Sequence, residues 1–205
     1  MATEQAPASN AIADPAPLGL AGFALTTVLL SAVNAGKIAT GGEVFVGMAL
    51  FYGGLGQFMA GMWEFKRNNT FGATAFSSFG AFWMGVGILF VIDHFAATPM
   101  LGADGLTWFF LCWAVFTSYM FVASLRVSGA VALVFLLLAL TFWALWIGAG
   151  HRDAAGHGWT ALGGWLGIIT AIVAFYTSFA GVVNTTFGRT VLPTYPLTIP
   201  LLAQR

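Results

Sequence analysis

Six runs of about twenty residues, none holding an Asp, Glu, Lys, Arg or His, follow one another along this chain at 18–34, 44–63, 71–92, 106–125, 129–150 and 159–183. An α-helix needs about 20 apolar residues to cross the hydrocarbon of a bilayer. The short breaks between the runs hold nearly every charge, as expected if an ionised side chain at mid-membrane costs roughly 2.5 kcal/mol or more. Only 7% of the residues are charged and 59% are hydrophobic, whereas a water-facing domain is about one quarter charged. The pattern predicts an all-α membrane protein with six transmembrane helices and no room for a soluble catalytic domain.

The expected organisation is a short mobile tail over 1–13, a six-helix transmembrane domain over 14–184, and a C-terminal tail over 185–205. Pro193, Pro196 and Pro200 keep that last tail from forming another long helix. The first segment carries Glu4 and no Lys or Arg, so it lacks the positive region of a signal peptide and is read as retained. Lys66, Arg67, Arg126, Arg189 and Arg205 fall on the side of both termini, against Lys37 and Arg152 on the other. That asymmetry places both termini in the cytoplasm. The formal charge is zero, and no basic stripe for nucleic acid is present. Gly163-x-x-x-Gly167 and the cluster Gly53, Gly54, Gly56 and Gly61 offer small faces for close helix packing, within one bundle or between subunits.

Polar residues inside the runs are the informative exceptions. Thr26, Thr27, Ser31 and Asn34 interrupt the first; Gln57 the second; Thr74, Ser77 and Ser78 the third; Thr117, Ser118 and Tyr119 the fourth; Thr141 the fifth; Thr170, Tyr176, Thr177 and Ser178 the sixth, with Asn184 at its end. Hydroxyls and amides give a carboxylate donors without a fixed countercharge, although each also serves to bond a neighbouring helix or its own backbone. No ionisable group sits at mid-membrane, so a proton relay within the protein is not visible. His94, His151 and His157 lie at helix ends or in loops, which disfavours a two-histidine haem and a zinc site. The lone Cys112 lies in an apolar run and reads as a small hydrophobe. Hydrolase elbows, phosphate loops and zinc-protease motifs are missing. The expectation is therefore no enzyme activity, no metal and no cofactor. Trp63, Trp108, Trp159 and Trp165 stand near span ends, where indoles favour the headgroup region.

Asp14-Pro15-Ala16-Pro17-Leu18-Gly19-Leu20, followed by Gly22-Phe23 and Thr26-Thr27, resembles the signature of the acetate uptake transporter family, which includes the bacterial succinate–acetate permeases and their fungal acetate and ammonia-export relatives. Phe51-Tyr52-Gly53-Gly54 with Gln57, Ala60-Gly61 and Glu64 is similar to the family's second helix. Asn69-Thr70-Phe71-Gly72 with Thr74-Ala75-Phe76 and Phe82-Trp83 matches its third, and Phe187-Gly188-Arg189-Thr190-Val191-Leu192-Pro193 its C-terminal motif. The four blocks come in the family's order and cover about residues 14 to 193. The resemblance implies a multi-pass protein of the bacterial inner membrane, assembled as a homo-hexameric ring with a conduction path in each protomer. It further implies small monocarboxylates as substrates, acetate above all and succinate in some members, coupled to protons or sodium. A hydrophobic constriction would fall at Phe23, Phe79 and Leu140, with Ala174 and Asn184 on the path. The wider set of path candidates is Thr26, Ser31, Asn34, Gln57, Thr74, Ala174, Tyr176 and Asn184.

Two departures stand out. The bacterial permeases carry Tyr where this chain has Phe79, so the constriction here lacks a hydroxyl. The signature usually begins with Asn, and here it begins with Asp14. Either residue can cap a helix, and Pro15 or Pro17 suits its first turn, but a carboxylate would cancel the positive field that a helix N-terminus offers an anion. Lys66, Arg67 and Arg189 are candidate partners; Asp14 facing away from the path is the alternative. Three other functional readings stay open: an acetate anion channel, a transporter of ammonia or a neutral solute, and a structural subunit of a membrane complex.

Overall fold

The computed structural model describes residues 12–98 and 101–197; most of the tail expected over 1–13 and the end of the tail over 185–205 lie outside the described residues. Six helices long and apolar enough to span a membrane follow in order: α1 Ala16–Asn34, α2 Val44–Lys66, α3 Thr70–Phe95, α4 Ala103–Ser124, α5 Gly129–His151 and α6 Gly158–Phe187. Each matches one of the charge-free runs, α4 stopping one residue short at Ser124, and several continue past it. Glu64 and Lys66 belong to α2, Asp93 and His94 to α3, and His151 to α5. The long side chains at such helix ends reach the polar headgroup zone, so the first charge need not end the helix.

Local chemistry sets the ends. Pro15 and Pro17 open α1, and Asp14 Oδ1 accepts from the free Ala16 N–H at 3.1 Å. Asn69 Oδ1 takes the Gly72 N–H at 3.1 Å to start α3, and Ser128 Oγ takes that of Val131 at 3.2 Å to start α5. Gly188, at φ 63°, closes α6 in the left-handed conformation that glycine adopts freely. Within α2 the turn Phe51–Gly56 widens into a π-helix, a distortion often found at functional sites.

α1 packs along α6, α6 along α5 and α5 along α4, while α3 lies on α2. Small residues allow the closest of these approaches. A Cβ on Gly167 would overlap Ser31 of α1, and one on Gly61 would overlap the backbone N of Ser77 in α3. The Gly163-x-x-x-Gly167 face thus packs within the chain, since Gly163 meets Leu145 of α5. α3 and α4 are different: their backbones make few close approaches. Rings fill the space between them, with Phe82 4.7 Å from Trp113 and 5.6 Å from Phe109 between ring centres. α4 is the least buried of the six, and it turns Trp108 (69% exposed) and Val122 (65%) outward. In water that surface would be a liability; bilayer hydrocarbon solvates it.

Candidate functional site

Bulky rings that hold α3 from α4 leave a cavity of about 230 Å³ bounded by α1, α3, α4 and α5. That is smaller than the roughly 300–1,000 Å³ of pockets for drug-sized ligands, which fits a ligand of a few heavy atoms. Its mouth lies at Asn34, Leu101, Asp153 and Thr160, the end of the bundle where the first, third and fifth loops meet. The first and fifth loops are tied there by the Gly156 N–H, which donates to Asn34 O at 2.9 Å. Among the described residues Asp153 is the one charged member of the lining, and its Oδ2 already accepts the Trp159 N–H at 2.7 Å, capping the start of α6.

Inward, the cavity ends on Phe23, Phe79 and Leu138, which are 4%, 3% and 4% exposed. Phe79 is the hub of the closure. Its ring lies 5.9 Å from Phe23, 5.4 Å from Trp113, 5.5 Å from Phe116, 6.1 Å from Phe135 and 6.5 Å from Phe142. Most of these pairs are edge-on or tilted, the arrangements ring quadrupoles favour. The wall above is apolar except for a stripe on α1, where Thr27, Ser31 and Asn34 recur at helical spacing, for the Trp83 indole on α3 and for Thr141 on α5. The Thr27 Oγ1 and Trp83 Nε1 atoms are buried and have no hydrogen-bond partner.

The expected site residues divide sharply. Phe23, Phe79, Ser31 and Asn34 line the cavity. Leu140 does not: it is 45% exposed, on the outer side of α5. Two residues are about 200° of helix, so the inner face is Leu138, Thr141, Phe142 and Leu145. Leu138 takes the place expected of Leu140. Thr26 is buried but donates back to Gly22 O at 2.9 Å, against α2. Gln57 is 1% exposed and Ala174 fully buried, both away from the cavity, and Thr74 is half-buried elsewhere on α3.

Tyr176 and Asn184 lie outside this cavity and bond the C-terminal segment. The Tyr176 hydroxyl donates to Pro193 O at 2.8 Å. Asn184 Oδ1 accepts from Val191 N and Leu192 N at 2.7 and 2.9 Å, while its Nδ2 donates to Leu192 O at 2.8 Å. The folded-back segment reaches α5, where Gly129 N donates to Tyr195 O at 2.7 Å.

The signature residues 14–20 lie at the far end from the mouth. Asp14 pairs with Arg67. Pro15 is buried, and Pro17 O accepts the Ser178 hydroxyl of α6 at 2.6 Å. Ala16 is half-buried and Leu18 is 46% exposed. Gly19 sits under the Phe76 ring, and Leu20 packs on the core. Nearby, Glu64 is fully buried; its Oε2 accepts from Asn69 Nδ2 at 2.9 Å and its Oε1 has no partner. Glu64 was legible only as a helix-end charge, because its burial comes from α3 folding over it at Gly72. Phe82, Trp83, Leu138 and Phe142 were missed as site residues because apolar residues in a membrane helix carry no mark of the side they face. The available signal was Thr141, whose helix face at i−3, i+1 and i+4 holds Leu138, Phe142 and Leu145.

Comparison with known proteins places this arrangement. The profile of the GPR1/FUN34/yaaH family matches residues 1–199. The chain is 40% identical to the succinate-acetate/proton symporter SatP of Escherichia coli strain K12 over 182 residues, covering 89% of this chain and 95% of that protein. It is 39% identical to the ammonia transport outward protein 2 of Saccharomyces cerevisiae over 194 residues, 92% of this chain and 67% of that one. The solved structure of the bacterial acetate channel SatP superposes with a TM-score of 0.84 at 39% identity, over 90% of this chain and 99% of the other.

Proposed function

Because the chain belongs to the GPR1/FUN34/yaaH family, we propose that it moves acetate and similar small carboxylates across the cytoplasmic membrane along a path within each protomer. The observation that carries this is the small cavity that opens at one face of the bundle and ends on Phe23, Phe79 and Leu138. The acid enters at Asn34 and Asp153, rests above the rings, and crosses when they part. The positive-inside asymmetry puts the mouth outside and both termini, with the tails over 1–13 and 185–205, in the cytoplasm. In this reading the working unit is the homo-hexamer that the family resemblance implies, in a bacterial inner membrane.

Magnitudes favour passage as the neutral acid. A carboxyl of pKa about 4.3 costs about 3.7 kcal/mol to protonate at pH 7, at 1.36 kcal/mol per unit. Moving a carboxylate-sized ion into a medium of dielectric four costs of order 20 kcal/mol in the idealised limit. A dry ring of Phe and Leu therefore selects the protonated form, and the proton travels with the acid, with no titratable relay between the rings.

The test is uptake of labelled acetate into proteoliposomes with and without an inward proton gradient. Gradient-stimulated uptake, blocked by excess propionate and not by ammonium, is the expected result. Uptake indifferent to the gradient makes the protein an anion channel. Competition by ammonium alone makes it an ammonia carrier, the reading that the yeast relative's name favours.

A further inference from the structure

Two buried polar groups on the cavity wall have no partner among the described residues. They are Thr27 Oγ1 on α1 and Trp83 Nε1 on α3, and both residues are 4% exposed. Among the described residues Gln57 Oε1, Glu64 Oε1, Ser77 Oγ and Thr117 Oγ1 are also buried without a partner, and none of these four residues lines the cavity. Several other hydroxyls and one other indole are paired. Thr26, Thr107, Thr141, Thr170 and Thr177 each donate to the carbonyl four residues earlier, and the Trp143 indole donates to Ser118 Oγ at 3.1 Å. A buried donor left unpaired costs the desolvation of that donor, and each such group in a native fold calls for an explanation. Both residues line the cavity.

Their positions are related. Thr27 lies four residues beyond Phe23 on α1, and Trp83 four residues beyond Phe79 on α3. Both helices run from the inner end towards the mouth, so each donor stands about one turn, 5.4 Å, outward of a closing ring and on its side of the helix. The third wall at this level is Phe142, four residues beyond Leu138 on α5. The site has a floor of rings and two donors directly above it.

We propose that the Trp83 N–H and the Thr27 hydroxyl form the carboxyl-binding subsite of the cavity, holding the acid head-up with its alkyl part on Phe23 and Phe79; this rests on the transport reading above. An indole N–H donates only, so it serves a carboxyl oxygen and offers nothing to ammonium or a metal cation. The threonine hydroxyl both donates and accepts, so it serves an anion as a second donor and a neutral acid as acceptor for its O–H. The pair therefore retains the acid through protonation. Two neutral donors without a fixed cation hold it weakly enough to let it go.

The experiment compares wild type, Trp83→Phe, Thr27→Val and Thr27→Ser. Acetate uptake is measured as a function of concentration in proteoliposomes, and the acetate-dependent rise in Tm is measured on the same proteins in detergent. Loss of one hydrogen bond should raise the half-saturating acetate concentration about three- to tenfold in Trp83→Phe and Thr27→Val. Maximal flux should be retained, and Thr27→Ser should stay near wild type. Acetate should raise Tm less in the first two variants than in wild type. Unchanged half-saturation and unchanged acetate stabilisation in both would overturn the subsite, as would Thr27→Ser failing along with Thr27→Val. If wild type takes up no acetate yet is stabilised by it through these two residues, the transport reading fails and the subsite stands.

Discussion

Leu138 and Leu140 stand two positions apart on α5, one 4% exposed on the cavity floor and the other 45% exposed on the outer surface. Sequence alone did not tell them apart, for a physical reason. In a soluble helix the outward residue would be polar; here both sides are apolar, one facing protein and one facing lipid. The same limit hid Phe82, Trp83 and Phe142. Polar residues were found easily but sorted poorly, because whether a threonine bonds back, as Thr26 does, or stays free, as Thr27 does, depends on neighbours from other helices. Asp14 is a clearer case. Its charge meets Arg67 at the end away from the mouth, so it works as a tie between α1 and α2. The pair is about 35–43% exposed, so Asp14→Asn, which keeps an acceptor for the Ala16 N–H, should cost under about 1 kcal/mol. Thermal unfolding in detergent should show a small fall in Tm at low salt and none at high salt.

At the scale of elements, the six spans were legible because the penalty for charge in hydrocarbon acts locally, residue by residue. Their packing was not, since it depends on which small residues meet. Gly61 and Gly85 show the difference. A side chain at Gly61 would strike the Ser77 backbone of α3, whereas one at Gly85 would meet nothing within 4 Å. Gly61→Val should destabilise by about 1–3 kcal/mol through overpacking and lower the yield of folded protein. Gly85→Ala should leave Tm unchanged or slightly higher, since alanine favours helix over glycine. The C-terminal segment carries its own test. Asn184→Ala removes three hydrogen bonds to Val191 and Leu192, each worth about 0.5–1.5 kcal/mol. Amide exchange at those two residues should speed up while the amides of α6 stay protected.

For the whole molecule, the bundle has one wet end and one dry closure. The cavity is open at the loops beside Asn34 and Asp153 and shut by rings around Phe79, and the signature 14–20 braces the opposite end. Outward apolar surface on α4, with Trp108 and Val122, is solvated by lipid or by neighbouring copies. Native mass spectrometry should give six protomers if the assembly is the proposed hexamer. The account stands most directly on what passes between Phe23, Phe79 and Leu138. The ratio of lactate to acetate uptake in proteoliposomes measures it, comparing Leu138→Ala with Leu140→Ala. The account predicts that Leu138→Ala raises the ratio by widening the closure, while Leu140→Ala keeps the wild-type value. A raised ratio in Leu140→Ala alone, or the wild-type ratio in both, would contradict it.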